Sequence, residues 1–140
     1  MSWAFYAFLS AVFAALTAIL AKIGVRSVDS NVATAIRTVV ILIFAWGIIL
    51  VQGSYKQMFT IPRFTLLFLV LSGISTGLSW LFYFRALQLG EASRVAPIDK
   101  LSLVLTIIFA ALILKEKLTV AVVVGTALIT LGTLIITFFK

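Results

Sequence analysis

The sequence predicts an all-α membrane protein with five transmembrane helices. Of its 140 residues, 64% are apolar and only 11% are charged, whereas soluble domains are roughly half apolar and about a quarter charged. A soluble fold of this length would leave too much surface in water to hide so many apolar side chains. Lipid is therefore the solvent for most of the surface, and the bilayer is the first predicted partner.

Five apolar blocks divide the chain, and each approaches the roughly 20 residues that a helix needs to cross the hydrocarbon core. The blocks do not alternate in hydrophobicity as the strands of a membrane β-barrel do. Helices remain as the structure that satisfies its own backbone in lipid. The prediction is a single five-helix domain over residues 1–140, with helices at 3–21, 32–51, 64–84, 95–114 and 118–139.

The connections between the blocks are too short to hold a soluble domain. Asp29, Ser30 and Asn31 are good N-cap residues for the second helix. The longest connection covers residues 52–63, and the charged residues 115–117 form a turn that makes helices four and five an antiparallel hairpin. A large catalytic or regulatory domain outside the membrane is therefore not expected.

Several absences narrow the function. The chain has no cysteine and no histidine, which excludes thiolate and imidazole metal sites and Ser-His or Cys-His nucleophile pairs. Four acidic residues leave little scope for a carboxylate metal cluster. We therefore predict that the protein is not an enzyme and uses no metal or cofactor. The net charge of +7 comes from basic residues that stand singly at helix ends, where anionic lipid head groups rather than nucleic acid explain them.

The C-terminal half, from Leu78 to Ile136, resembles the EamA domain of the drug/metabolite transporter superfamily. The resemblance rests on an ordered set of features: an aromatic-rich third helix with an Ala-Leu pair at its end, a Gly-x-Ala turn, a proline near the start of helix four, a glutamate in the last hairpin and spaced glycines in helix five. These are Ala86-Leu87, Gly90-Glu91-Ala92, Pro97, Glu116, Gly125 and Gly132. The N-terminal half matches the pattern more loosely.

This resemblance implies a secondary active transporter, in a prokaryotic inner or plasma membrane, that exports a small metabolite or drug-like solute. Full-length members are similar to two such units fused in opposite orientations, whereas this chain holds one unit and is similar to the half-length branch. Inverted repeats bind substrate at their interface and move against each other. The implied assembly is therefore an antiparallel homodimer working by alternating access. A lipid-linked sugar flippase or flippase subunit, and a non-transporting membrane assembly subunit, remain as alternatives.

Polar residues within the helices mark the candidate substrate-binding or coupling sites, because charge in a membrane is costly and usually faces a cavity or a partner. In helix four, Asp99 and Ser102 share one face, and Lys100 lies about 100° around the helix from Asp99. Asp99 is the candidate proton-coupling carboxylate, with Lys100 as its partner or as an anion ligand. The alternative is a pair at the membrane interface, with Lys100 reaching the head groups.

Helices two and three supply the remaining candidates. Arg37 could balance Asp99, bind an anionic group or snorkel to the head groups. Helix three carries Thr76, Ser79, Trp80 and Tyr83 on one broad face, which could line a pocket by hydrogen bonding and stacking. The alternative for this face is close helix packing, with Tyr83 in the interfacial aromatic belt.

Two further features concern assembly. Helix five carries threonines at spacings of three and four beside two glycines, which favours helix packing and a dimer interface; they are Thr126, Thr130, Thr133 and Thr137. The basic residues divide nearly evenly between the two membrane faces. The positive-inside rule then gives only a weak preference for an external N-terminus, and we predict that both orientations occur.

Overall fold

A computed structural model describes residues 2–139. Its elements are α1 (Trp3–Gly24), α2 (Ser30–Val51), a 3₁₀ segment (Ser54–Thr60), α3 (Arg63–Leu89), α4 (Ala92–Asp99), α5 (Leu101–Ile113) and α6 (Val120–Phe138). Five helical spans are long and apolar enough to cross a membrane, with α4 and α5 together forming the fourth span, Ala92–Ile113. The all-α class and the five spans are confirmed.

The described residues fall into two compact units, one up to Leu89 and one from Gly90. In the first unit, α3 packs against both α1 and α2, and the 3₁₀ segment packs against α2. In the second unit, α6 packs against both α4 and α5. The assignment of residues 1–140 to a single domain remains a prediction.

The buried side chains of the first unit gather at one end, where α1 and α3 end and α2 begins. They are Ala18, Val25, Ser30, Thr34, Phe84 and Leu87. Hydrogen bonds join the same elements: Lys22 Nζ donates to the Leu87 carbonyl at 2.5 Å, and Gln88 Nε2 donates to the Val28 carbonyl at 3.1 Å. A cation at the carboxyl end of α3 also interacts favourably with the helix dipole. This end of the unit is therefore its best-fixed part.

The start of α2 is set by Asp29, one of the three N-cap candidates in the sequence, and the helix begins at Ser30 rather than at the expected residue 32. The Asp29 carboxylate accepts hydrogen bonds from the amides of Asn31 at 2.8 Å and Val32 at 3.4 Å. Two of the amides that a helix start leaves without intrahelical partners are thereby satisfied. Because α2 begins at a fixed residue, the position of Arg37 seven residues later is fixed as well.

The fourth span, expected over 95–114, runs over Ala92–Ile113 and has a break at Lys100. Pro97 has no amide hydrogen and cannot donate to the carbonyl four residues earlier. The Lys100 amide is shared between the carbonyls of Ala96 at 3.2 Å and Pro97 at 3.1 Å, which tightens the turn. The span therefore consists of α4 and α5, with Asp99 and Lys100 at their junction.

The connection from α5 to α6 contains a strained residue. Lys115 has φ 56°, in the left-handed region, and it is the one described non-glycine residue with positive φ. The Glu116 amide turns back to the Ala110 carbonyl at 3.2 Å. Thr119 then caps α6 by accepting from the Val122 amide at 3.4 Å. The charged turn thus joins two helices that pack together, as the sequence predicts.

Few residues of the spans are fully buried inside the chain. In the most apolar window of each span, the buried share of residues is 6% or less. Large side chains such as Phe44, Phe68 and Ile113 remain exposed. The surface of a multi-pass membrane protein of this kind must be covered by lipid or by another protein.

Candidate functional site

Arg37 is the one charged residue of α2, and it lies over two aromatic rings of α3. Its Cζ lies 4.3 Å from the ring centroid of Trp80 and 5.2 Å from that of Phe84. Trp80 and Phe84 are four residues apart, so they occupy one face of α3. A guanidinium over aromatic faces gains a cation–π interaction, which is stronger when the groups are desolvated. The α2–α3 contact is thereby built around a cation.

Arg37 also borders a cleft of about 410 Å³ within the first unit. Its walls are mainly apolar and come from the last two turns of α1, the α1–α2 connection and the first two turns of α2, including Leu20, Val28 and Ile36. Phe84 closes one side. The cleft has the volume of a small-molecule pocket, which is about 300–1,000 Å³.

Charge around the cleft is unbalanced. Asp29 is the one acidic residue before Glu91, and its carboxylate caps α2. The ion pairs among residues 2–139 are Arg94–Glu91 at 3.4 Å and Lys100–Asp99 at 3.7 Å. Neither involves Arg37, which is half-buried and lies over the rings of Trp80 and Phe84. An anion brought to the cleft would therefore meet a cation that no described carboxylate neutralises.

The polar face predicted on α3 is only partly available for binding. Thr76 Oγ1 donates to the Ser72 carbonyl at 2.9 Å, so its hydroxyl hydrogen is used inside the helix. Ser79 is exposed, whereas Tyr83 is half-buried and its ring meets that of Phe84 edge to face, with 6.4 Å between centroids. Trp80 contacts Arg37. The structure thus groups the aromatic candidates with Arg37 and leaves the hydroxyl candidates on an open helix surface.

The second unit holds the other candidates. Asp99 Oδ2 lies 3.7 Å from Lys100 Nζ, with 36% and 59% of their respective side chains exposed. The pair sits at the α4–α5 junction, and Ser102 follows on the exposed first turn of α5. The Thr106 hydroxyl donates to the Ser102 carbonyl at 2.8 Å. Asp99 and Lys100 are therefore partly exposed neighbours at the α4–α5 junction.

The threonines of α6 mostly bond within their own helix. Thr126, Thr130 and Thr137 donate to the carbonyls four residues earlier at 2.7–2.8 Å, and Thr133 is buried. A Cβ placed on Gly125 or Gly132 would meet no atom within 4 Å. The glycine face of α6 is therefore not filled by the chain itself.

Sequence reasoning missed the pairing of Arg37 with Trp80 and Phe84. It considered Arg37 as a balance for Asp99 and placed the aromatic residues of α3 in a separate pocket. The signal was present in the spacing of Trp80 and Phe84, which puts two rings on one face of α3. Which helix packs against those two rings is decided by tertiary packing, and the spacing of residues within α3 gives no information about it.

Comparison with known proteins agrees with these features. Residues 1–138 match the sequence pattern of the EamA-like transporter family. The chain is 53% identical over 138 residues to a Sinorhizobium sp. protein named as an uncharacterized transporter in the cobO 3′ region, covering 99% of this chain and 98% of that relative. It is also 27% identical over 103 residues to an uncharacterized protein of Methanocaldococcus jannaschii, covering 67% of this chain and 75% of that relative. No solved structure matches the chain significantly.

The family match covers nearly the whole chain and includes both the Arg37 cleft and the Asp99–Lys100 junction. The five apolar spans of the chain are those expected of a protein that carries solutes through a bilayer. The chain belongs to the EamA-like transporter family and is a multi-pass membrane transporter.

Proposed function

We propose that the protein is a secondary active transporter that exports a small metabolite or drug-like solute from a prokaryotic cell. Two copies in opposite orientations form the working unit and alternate between inward-facing and outward-facing states. The observation that most strongly supports a transport function is the match of residues 1–138 to the transporter family. The bacterial relative that is named a transporter supports the prokaryotic membrane.

The pairing of two copies is supported by the open glycine face of α6. Gly125 lies five residues after the first residue of α6, Val120, and Gly132 lies six residues before the last, Phe138. Two antiparallel copies of α6 aligned at their centres therefore bring Gly125 of one copy opposite Gly132 of the other. Small residues allow the backbones of membrane helices to approach closely. Two parallel copies would instead place each glycine opposite itself.

This difference gives a test of both pairing and orientation. The chain has no cysteine, so Gly125→Cys and Gly132→Cys variants with different tags can be co-expressed and oxidised in membranes. The proposal predicts a disulfide between differently tagged copies and little linkage within either variant expressed alone. Thr130→Cys is the matched control, since Thr130 borders the α5–α6 groove on the other side of α6. Linkage of each glycine variant only to itself would show a parallel dimer.

Asp99 is proposed as the coupling carboxylate of this cycle. It is the one acidic residue inside a described helix, whereas Asp29 and Glu91 are N-caps and Glu116 lies in the last connection. A carboxylate at a helix junction can bind a proton in one state and release it in the other. Lys100, 3.7 Å away, can take the place of the proton as its partner.

A further inference from the structure

We propose that the cleft beside Arg37 binds the transported solute as an organic anion with a compact apolar body. The inference rests on the proposed transport function and adds the charge and shape of the solute. The guanidinium of Arg37 binds the carboxylate or phosphate of the solute, and the apolar walls formed by α1 and α2 receive its hydrocarbon part.

The charge of the solute follows from the partners of Arg37. Its guanidinium lies against Trp80 and Phe84 at 4.3 and 5.2 Å, and neither ion pair of the described chain includes it. Stacking occupies the flat face of a guanidinium, whose N–H groups donate from its edge, and no described carboxylate pairs with that edge in Arg37. That edge forms paired hydrogen bonds with a planar carboxylate or with a phosphate. A cationic solute would be repelled at the same position.

The depth of Arg37 favours a solute over a lipid head group. Arg37 follows Ser30, the first residue of α2, by seven positions, which is about 10 Å along a helix that rises 1.5 Å per residue. The bonds from Lys22 to Leu87 and from Gln88 to Val28 join α3 to α1 and to the α1–α2 connection at this end of the unit. The cleft holds about 410 Å³, which suits a compact body better than a long acyl chain.

The shape requirement follows from the lining residues. Ala21, Gly24 and Ala33 contribute little side-chain volume to the wall, and a Cβ on Gly24 would meet no atom within 4 Å. Larger side chains at these positions would fill the space where the apolar body lies. Occupancy of the cleft should therefore be sensitive to volume at Ala33 and to charge at Arg37, in two separable ways.

The test uses three probes of one shape: adamantane-1-carboxylate, adamantan-1-amine and adamantan-1-ol. Trp3→Phe and Trp46→Phe leave Trp80, which contacts Arg37, as the only tryptophan reporter. The purified full-length protein should give a saturable change in Trp80 emission with the carboxylate, and much weaker changes with the amine and the alcohol. Arg37→Gln should weaken carboxylate binding by about tenfold or more, as expected for loss of a charge-assisted hydrogen bond.

Three variants separate binding from folding. Arg37→Lys keeps the charge and should retain part of the carboxylate affinity. Ala33→Leu should weaken all three probes while Arg37 remains in place. Arg26→Gln removes another basic residue near the same end of the unit, outside the cleft lining, and should leave carboxylate binding unchanged. Thermal unfolding of each variant identifies any change that comes from loss of structure.

Several results would overturn the inference. They are equal binding of the amine and the carboxylate, an equal effect of Arg26→Gln and Arg37→Gln, or Arg37-dependent displacement of the carboxylate when phosphatidylglycerol replaces phosphatidylcholine in nanodiscs. The last result would assign the cleft to a lipid head group. Flux assays separate this failure from failure of the proposed function. Flux of a cationic solute without carboxylate binding would keep transport and refute the anion site, whereas carboxylate binding without any flux would do the reverse.

Discussion

The guanidinium of Arg37 is stabilised by two aromatic rings, and this residue shows how a charge is tolerated inside an apolar helix. A cation–π contact contributes about 0.5–1 kcal/mol when exposed and about 2 kcal/mol or more when desolvated. Trp80 and Phe84 therefore offset part of the cost of placing a cation about two turns into α2. No described carboxylate pairs with the guanidinium.

Asp99 is the residue whose substitution tests ion coupling. Asp99→Asn should abolish accumulation of solute driven by a proton gradient, because an amide cannot bind and release the proton. Exchange of solute without a gradient should continue, since that step needs no change of protonation. The free energy of unfolding should change by about 1 kcal/mol or less. The reason is that Lys100 is the next residue in the chain, 3.7 Å away, and both side chains are partly exposed.

Glu91→Gln is the matched control for Asp99→Asn, since it removes the acid of the other ion pair in the same unit, 3.4 Å from Arg94. Accumulation should persist in this variant. Undiminished accumulation in Asp99→Asn would show that Asp99 does not couple transport to protons.

At the scale of elements, the α5–α6 connection stores strain that a glycine would remove. A non-glycine residue in the left-handed region costs roughly 1–2 kcal/mol, and Lys115 has φ 56°. Glycine relieves this strain but loses more chain entropy on folding, by about 0.5–1 kcal/mol. Lys115→Gly should therefore raise the free energy of unfolding by up to about 1 kcal/mol, measured by detergent melting.

Lys117→Gly is the control for this change, because it removes the same charge from the same connection at a residue without positive φ. It should lower stability slightly through chain entropy. A Lys115→Gly variant no more stable than Lys117→Gly would contradict the role of strain in this turn.

The sequence predicted the elements better than the contacts between them. The apolar blocks gave all five spans, because span length is fixed by bilayer thickness, and Asp29 gave the start of α2 because its cap is local. The interruption at Lys100 depends on how the backbone around Pro97 redistributes its hydrogen bonds. The position of Arg37 over Trp80 depends on packing between two helices. The periodicity of a single segment predicts neither the interruption nor the contact between the two helices.

At the scale of the whole molecule, most apolar residues of the spans are at least partly exposed, and 6% or less of the residues in each most apolar window are fully buried. Such a surface suits a subunit that pairs with another copy in lipid. Since the sequence divides its basic residues nearly evenly between the two faces, the orientation of insertion should be mixed.

Mixed orientation is tested by labelling single cysteines introduced at Lys56 and Arg94 with a membrane-impermeant reagent. Each site should label partly from outside and partly only after permeabilisation. Tyr55→Cys and Ser93→Cys are matched controls, because they report on the same two regions without removing a charge. If one region labels only from outside and the other only from inside, dual orientation is wrong.

The most direct measurement of the central claim is solute flux in proteoliposomes that contain only this protein. Vesicles would be screened on solid-supported membranes against compact organic anions, with shape-matched cations and neutral solutes alongside. The account predicts a saturable, protein-dependent signal with at least one anion, and a marked loss of that signal in Arg37→Gln but not in Arg26→Gln. The account would be contradicted if the protein is folded and inserted in the vesicles, yet no solute gives a signal above that of protein-free vesicles.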